Sequence, residues 1–234
     1  MLDTRKLTFH VCKEPVTIKE GDGNVDKILL RKNRKFYEAT SEYLAALTES
    51  IGKKTPITKT DIMDLVSGDQ TFLSIECYKL NYGDIFEFEY SCPDCNEPPG
   101  NQFFDLTKLP VIKLPQDLDT TDPTISLTLP RSKKAAIVGM LNGHKEAILI
   151  EQILTTGADL NQGDFLSLRE LDGSKDFSYE DVVKLPLADH KAIRGARKKL
   201  VCGYDTIITV TCDTCGSKNS INVVMHKDFL LPIG

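Results

Sequence analysis

Two Cys-x-x-Cys pairs, Cys92-Pro-Asp-Cys95 and Cys212-Asp-Thr-Cys215, stand 120 residues apart, and that offset constrains the fold of this chain more than any other feature. Sliding the sequence by 120 superposes Leu7-Thr8 on Leu127-Thr128, Lys13 on Lys133, Gly23 on Gly143 and Ile28-Leu29 on Ile148-Leu149. Farther along it superposes Asp61 on Asp181, Leu65 on Leu185, Asp69 on Asp189, Leu80 on Leu200 and Gly83 on Gly203. The register slips near Gly52 and Gly173 and again after the cysteine pairs. Two copies are too few for a solenoid, so the pattern predicts two similar subdomains related by approximate twofold symmetry.

Each copy predicts the same order of elements. Strand-like alternation covers residues 7–11 and 16–18 in the first copy, and 125–129 and 136–138 in the second. Turn residues follow, Gly21-Asp-Gly23 and Asn142-Gly143, and then a helical stretch in which Leu44, Leu47 and Ile51 share a face. A second helix opens with a capping pattern, Thr58-x-x-Asp61 or Ser178-x-x-Asp181. Asp69 and Asp189 are the expected N-caps of a third helix. Its apolar stripe is Leu73, Cys77 and Leu80, or Ile193, Ala196 and Leu200, and Gly83 or Gly203 ends it as an αL residue. A strand then runs into each cysteine pair. Phe86, Phe88 and Tyr90 alternate with Glu87 and Glu89, which makes the aromatic face a core face; Thr206, Ile208 and Val210 hold the matching positions. Returning strands at 102–104 and 221–224 put each Cys-x-x-Cys at the tip of a β-hairpin.

The expected fold is therefore α+β, with two pseudo-repeated subdomains that each carry strands, helices and a zinc-knuckle β-hairpin. The expected division is 1–109 for the first repeat with its knuckle, 110–123 for an extended, solvated linker rich in Pro and Asp, and 124–234 for the second repeat with its knuckle.

The spacing of Cys92, Cys95, Cys212 and Cys215 lets two tight turns aim four thiolates at one cation. Zinc takes four thiolates tetrahedrally at about 2.3 Å, and a shell closed in this way is structural. One redox pair at a helix start would be the thioredoxin-like alternative, but both pairs here lie between strand-like runs. An iron–sulfur cluster or free thiols are the other readings. An ion held by both pairs would tie the halves together across the 116 residues between Cys95 and Cys212, offsetting the entropy of closing that loop. Cys12, Cys77 and Cys202 sit in apolar or mixed surroundings and are expected as small buried hydrophobes. The odd total of seven cysteines, and residues 1–6 without the apolar centre of a secretory signal, fit a reducing compartment.

Other chemistry finds little support. No phosphate-binding Gly-rich loop, nucleophile elbow or His-Glu-x-x-His pattern occurs, and Gly21-Asp-Gly23 lacks the third glycine of a dinucleotide fingerprint. No catalytic residues are assigned, and the chain is expected not to be an enzyme. His10, His144, His190 and His226 share no ligand spacing and are expected at the surface or at caps. No apolar run approaches the roughly 18 to 20 residues that cross a bilayer, so no membrane partner is expected. Two basic clusters could meet nucleic acid: Arg31, Lys32, Arg34 and Lys35, and Lys191, Arg194, Arg197, Lys198 and Lys199. Neither is interleaved with stacking aromatics, and the net charge is −5, whereas phosphate binding needs a concentrated positive field. A zinc-ribbon-like nucleic-acid-binding protein is the alternative reading. The preferred one has these basic faces meeting acidic patches on neighbouring proteins.

Several longer runs carry a family resemblance. They are Asp61-Ile-Met-Asp-Leu-Val-Ser-Gly-Asp69, then Leu80-Asn-Tyr-Gly-Asp84 leading into Cys92-Pro-Asp-Cys95. The second half adds Leu168-Arg-Glu-Leu-Asp-Gly173, the second cysteine pair and Asp228-Phe-Leu-Leu-Pro232. Over nearly the whole chain this resembles the baseplate hub assembly proteins of T-even-type contractile-tailed bacteriophages. Cys212-Asp-Thr-Cys215 departs from the Cys-Pro-x-Cys form, and the third helix of the second copy is unusually basic. The resemblance implies a non-enzymatic hub protein, structural or an assembly factor. It would be made in the bacterial host cytoplasm, sit in the virion tail baseplate, and have other phage baseplate and hub proteins as partners.

Overall fold

The computed structural model describes residues 3–31, 35–98, 100–118, 120–157, 159–225 and 229, and it is a mixed α and β molecule with several small antiparallel sheets. The first half runs β1 (Thr4–Thr8), β2 (Pro15–Lys19), α1 (Gly23–Leu29), α2 (Phe36–Leu47), β3 (Thr48–Ile51), α3 (Lys59–Asp64), α4 (Ser67–Tyr82), β4 (Ile85–Tyr90) and β5 (Gly100–Asp105). A short strand β6 (Val111–Ile112) follows. The second half runs β7 (Thr124–Thr128), β8 (Ala135–Gly139), α5 (Gly143–Thr156), α6 (Leu160–Ser167), β9 (Leu168–Leu171), α7 (Tyr179–Val183), α8 (Leu187–Lys199), β10 (Gly203–Tyr204), β11 (Ile207–Thr211) and β12 (Lys218–Asn222).

Sheets β1-β2-β3 and β7-β8-β9 have the same strand order. Thr4 pairs with Lys19 as Thr124 pairs with Gly139, and the bulges fall between Thr17 and Ile18 and between Ile137 and Val138. The loops after β1 and β7 close through Phe9 N–H to Glu14 O (3.0 Å) and Leu129 N–H to Lys134 O (2.8 Å), with Lys13 and Lys133 at φ 59° and 64°. Helices α3 and α7 both start in full capping boxes, Thr58 with Asp61 and Ser178 with Asp181.

Three local expectations are corrected. Ile51 is not on the helix of Leu44 and Leu47; the helix stops at Leu47, and Ile51 pairs with Val16 in β3. The extended backbone of Thr48 ends the helix, and an edge partner is available there. Asp69 and Asp189 do not cap helices, because the N-caps are Val66 and Pro186. Each carboxylate, fully buried in the first turn of its helix, instead accepts two amides from the loop after the first strand of its own half. Asp69 takes Val11 N–H and Cys12 N–H, both at 2.9 Å, and Asp189 takes Arg131 N–H at 2.7 Å and Ser132 N–H at 2.9 Å. Buried backbone donors need partners, and a carboxylate at a helix start is the strong one available. Gly83 does end α4, with φ 88° and ψ −178°, which is outside the αL region. Gly203 instead opens β10, where a Cβ would meet the carbonyl oxygen of Gly68 at 2.7 Å. The glycine is there so that the two halves can touch.

The apolar interior falls into two clusters. One gathers Phe9, Val16, Ile18, Leu44, Leu47, Ile62, Leu73 and Ile75 with the hairpin residues Phe86 and Phe88. It also takes in Ile208, Val210, Val223 and Phe229 from the end of the chain. The other gathers Leu129, Val138, Leu168, Leu171, Val182, Ile193 and Leu200, ends at Cys202, and receives Val11 from the first half. The stretch expected as a solvated linker is partly ordered. β6 pairs with β10, and Leu114 and Leu118 pack on the second cluster, because its spaced apolar residues have surface to bury.

Candidate metal centre

Each hairpin turns at its cysteine pair in the same way. Asn96 N–H donates to Cys92 O at 3.0 Å, and Gly216 N–H donates to Cys212 O at 2.9 Å. The residues that make the reversal, Asn96 (φ 52°) and Gly216 (φ 72°), are left-handed, a conformation open to Gly and tolerated by Asn. The turn therefore points both sulfurs of a pair to one side. Burial of Phe86, Phe88, Ile208 and Val210 in one core cluster then sets hairpins β4–β5 and β11–β12 side by side.

All four sulfurs lie within 4.8 Å of one another. The short approaches run between hairpins: Cys92 Sγ to Cys215 Sγ at 3.7 Å and Cys95 Sγ to Cys212 Sγ at 3.7 Å. A tetrahedral ion with sulfurs at 2.3 Å requires an S···S edge of about 3.8 Å, so the residues present fit such an ion. The cysteines are free thiols, and these separations far exceed the roughly 2.0 Å of a disulfide. Cys92 and Cys212 are buried, Cys95 is half-buried and Cys215 is exposed.

The surroundings favour ionisation at one corner. The amide N–H groups of Cys95 and Asp94 and the Tyr90 hydroxyl, working against burial, lower the Cys92 thiol to about 6. For Cys95 the Glu97 amide lowers the value, but burial and the three neighbouring sulfurs outweigh it and push the thiol up to about 12. Four thiolates this close repel one another unless a cation sits between them. Asn219 Nδ2 donates to Tyr90 Oη at 2.8 Å and lies 3.9 Å from Cys92 Sγ, and Ser217 donates to the Asp94 carboxylate across the two tips.

The structure disperses the other sequence candidates. Cys77 and Cys202 are buried and Cys12 half-buried. His190 is not at the surface; it is buried, with Nδ1 2.8 Å from the Asp164 carboxylate. Asp164, fully buried, also accepts from Arg194 Nε (2.9 Å) and Arg197 Nη1 (3.2 Å). Two members of the second basic cluster thus face inward, while Lys191, Lys198 and Lys199 are exposed. Nothing in the sequence near Asp164 signalled this role. In the first basic cluster Arg31 pairs with Glu42 and Lys35 with Glu151, whereas Lys32 and Arg34 lie outside the described residues. His226 and most of the terminal Asp228-Phe-Leu-Leu-Pro232 run also lie outside them, but Phe229 is buried and stacks on Tyr78 at 4.8 Å. Among the described residues no helix is long and apolar enough to cross a membrane.

Residues 13–231 match a protein-family model described as T4 bacteriophage base plate protein. No curated protein and no solved structure matches the chain.

Proposed function

Because the chain belongs to the T4 bacteriophage base plate protein family, we propose that it is a non-enzymatic part of the baseplate hub of a contractile tail, a structural component or an assembly factor, stabilised by zinc. The family match along most of the chain carries this reading. Membership implies a place in the virion tail and contacts with other phage baseplate proteins; assembly in the host cytoplasm belongs to the proposal.

Zinc would be held by Cys92, Cys95, Cys212 and Cys215. The sulfur spacing, with two separations of 3.7 Å and all four atoms within 4.8 Å, and the all-cysteine donor set support it. Four protein ligands leave no open position for water, so the ion would supply a cross-link between hairpins and no reaction. The halves 1–109 and 124–234, joined by 110–123, read as products of a tandem duplication. The matched sheet registers and the matched Asp69 and Asp189 contacts support that reading. The zinc-ribbon-like nucleic-acid alternative draws less support, since Asp164 engages two of the five cations in the second basic cluster.

Quantitative mass spectrometry of purified virions and of tail-assembly intermediates tests the role. A stoichiometric level in virions identifies a structural component, and presence in intermediates alone identifies an assembly factor. Absence from both, with co-purification of nucleic acid, overturns the reading. Elemental analysis of the purified chain should give one zinc per molecule; substantially less removes the zinc.

A further inference from the structure

An open cavity of about 470 Å³ lies where the two halves meet, between the start of α4, the end of β8 and the end of α8. Its volume is that of a ligand site. Its floor is stitched, because Ser67 donates both N–H and Oγ–H to Leu141 O at 3.0 Å. One wall carries Arg194, Arg197 and Lys198, and apolar surface comes from Met140, Val201 and Tyr204. Val201 is 52% exposed.

The charge of this wall is only partly neutralised within the chain. The two guanidiniums share the single carboxylate of Asp164. Among the described residues no ion pair is given by Lys198, which is exposed. Glu146, also at the cavity, has its carboxylate on the Tyr37 hydroxyl at 2.7 Å. One repeat earlier, the positions of these three cations are Ser74, Cys77 and Tyr78, and the last two are buried in the core. Arg197 and Lys198 therefore stand where the first half packs its interior, Arg197 half-buried on Asp164 and Lys198 exposed.

We propose that this cavity docks an acidic segment of a partner protein, with Arg197 and Lys198 meeting a carboxylate and Met140 and Val201 meeting an adjacent apolar side chain. The proposal rests on the baseplate reading in taking a protein as the occupant. A nucleic-acid strand fits less well, because the Tyr204 ring that a base would stack on is already stacked on Phe72 at 5.9 Å, with its hydroxyl on Glu76.

The test is fluorescence anisotropy of the full chain with a labelled peptide of alternating Asp and Leu. A peptide of alternating Lys and Leu and an oligothymidylate serve as comparison probes. The acidic peptide should bind best, and Lys198→Glu and Val201→Asp should each weaken it about tenfold. Lys175→Glu, an equal charge change on an exposed residue away from the cavity, should leave affinity unchanged. Circular dichroism of each variant should match the parent chain. Equal binding of the two peptides, an equal effect of Lys198→Glu and Lys175→Glu, or preferential binding of the oligothymidylate overturns the proposal. A chain that fails here yet is stoichiometric in virions loses the docking site and keeps the baseplate role. One that passes here yet is absent from virions and intermediates keeps the site and loses the role.

Discussion

Helices α4 and α8 occupy equivalent places in their halves, yet they live in different environments. α4 buries Phe72, Leu73, Ile75, Cys77 and Tyr78 along its length, because both hairpins and the start of the last segment pack around it. α8 buries Asp189, His190, Ile193 and Ala196, and its last turn is Arg197, Lys198 and Lys199. The difference arises because hairpin β11–β12 leaves its own half and joins the first core. Matching local elements, the two three-stranded sheets and the two capping boxes, thus sit in packing that is asymmetric. Only one of the two helices is enclosed, and the other keeps a charged, open face.

The largest effect that would test this arrangement is at the shared sulfurs. Cys212→Ala should abolish binding of the metal equivalent and destabilise the chain by more than about 4 kcal/mol. Elemental analysis and hydrogen exchange should show both hairpin tips losing protection, and loss confined to β11–β12 would sink the idea of one centre serving both. Next come the hairpin side chains. Phe88→Ala should cost roughly 3–5 kcal/mol and Ile208→Ala roughly 2–5 kcal/mol. Both should unprotect α4 in native-state exchange; if Ile208→Ala loosened α8 instead, the asymmetry drawn above would be wrong.

The paired carboxylates sharpen the comparison further. Asp69→Ala and Asp189→Ala each strand two loop amides, at roughly 1–3 kcal/mol for each buried one. Urea denaturation should rank Asp69→Ala as the more damaging, since the Val11 amide is buried and those of Arg131 and Ser132 are only part-buried. At Asp189 burial alone would raise the pKa, but the amides of Arg131 and Ser132 outweigh it and hold the carboxyl below 3.8. Its contribution is therefore fully present above the unfolded value near 3.8 and fades as pH falls through the lower folded value. The gap in stability between Asp189→Ala and the parent chain should narrow on acidification through that window. The smallest effects belong to the two capping boxes. Thr58→Ala and Ser178→Ala should each cost about 1 kcal/mol, and a markedly unequal pair in thermal melts would show that the boxes are not equivalent.

Much of this organisation was legible in the residues. Capping pairs and the strand alternation in β4 and β11 depend on groups within a few positions of each other. The convergence of Cys92, Cys95, Cys212 and Cys215 was expected from the doubled spacing, and their sulfurs do meet. What escaped notice were partners fixed by tertiary placement. Asp69 and Asp189 read as caps because Asp before a helical stripe commonly caps, but amides of the loop after β1 or β7 claimed their oxygens. Arg194 and Arg197 read as surface charge because nothing nearby in sequence marks Asp164 as buried beneath them. Ile51 read as helical because its spacing from Leu44 and Leu47 fits a turn, until pairing with Val16 drew it into a sheet.

The chain's own order of residues determined the capping boxes of α3 and α7, the alternation of β4 and β11, and a pair of thiols in the turn after each of those two strands. Backbone hydrogen bonding and side-chain alternation act over short stretches, and those stretches are written directly in the residues. The tertiary structure alone decided that the last hairpin would cover the first core, that buried carboxylates would anchor loops 57 and 58 positions away, and that one basic helix face would stay open. Those outcomes depend on which apolar surfaces find each other when the whole chain closes, and burial of apolar area carries no sequence address.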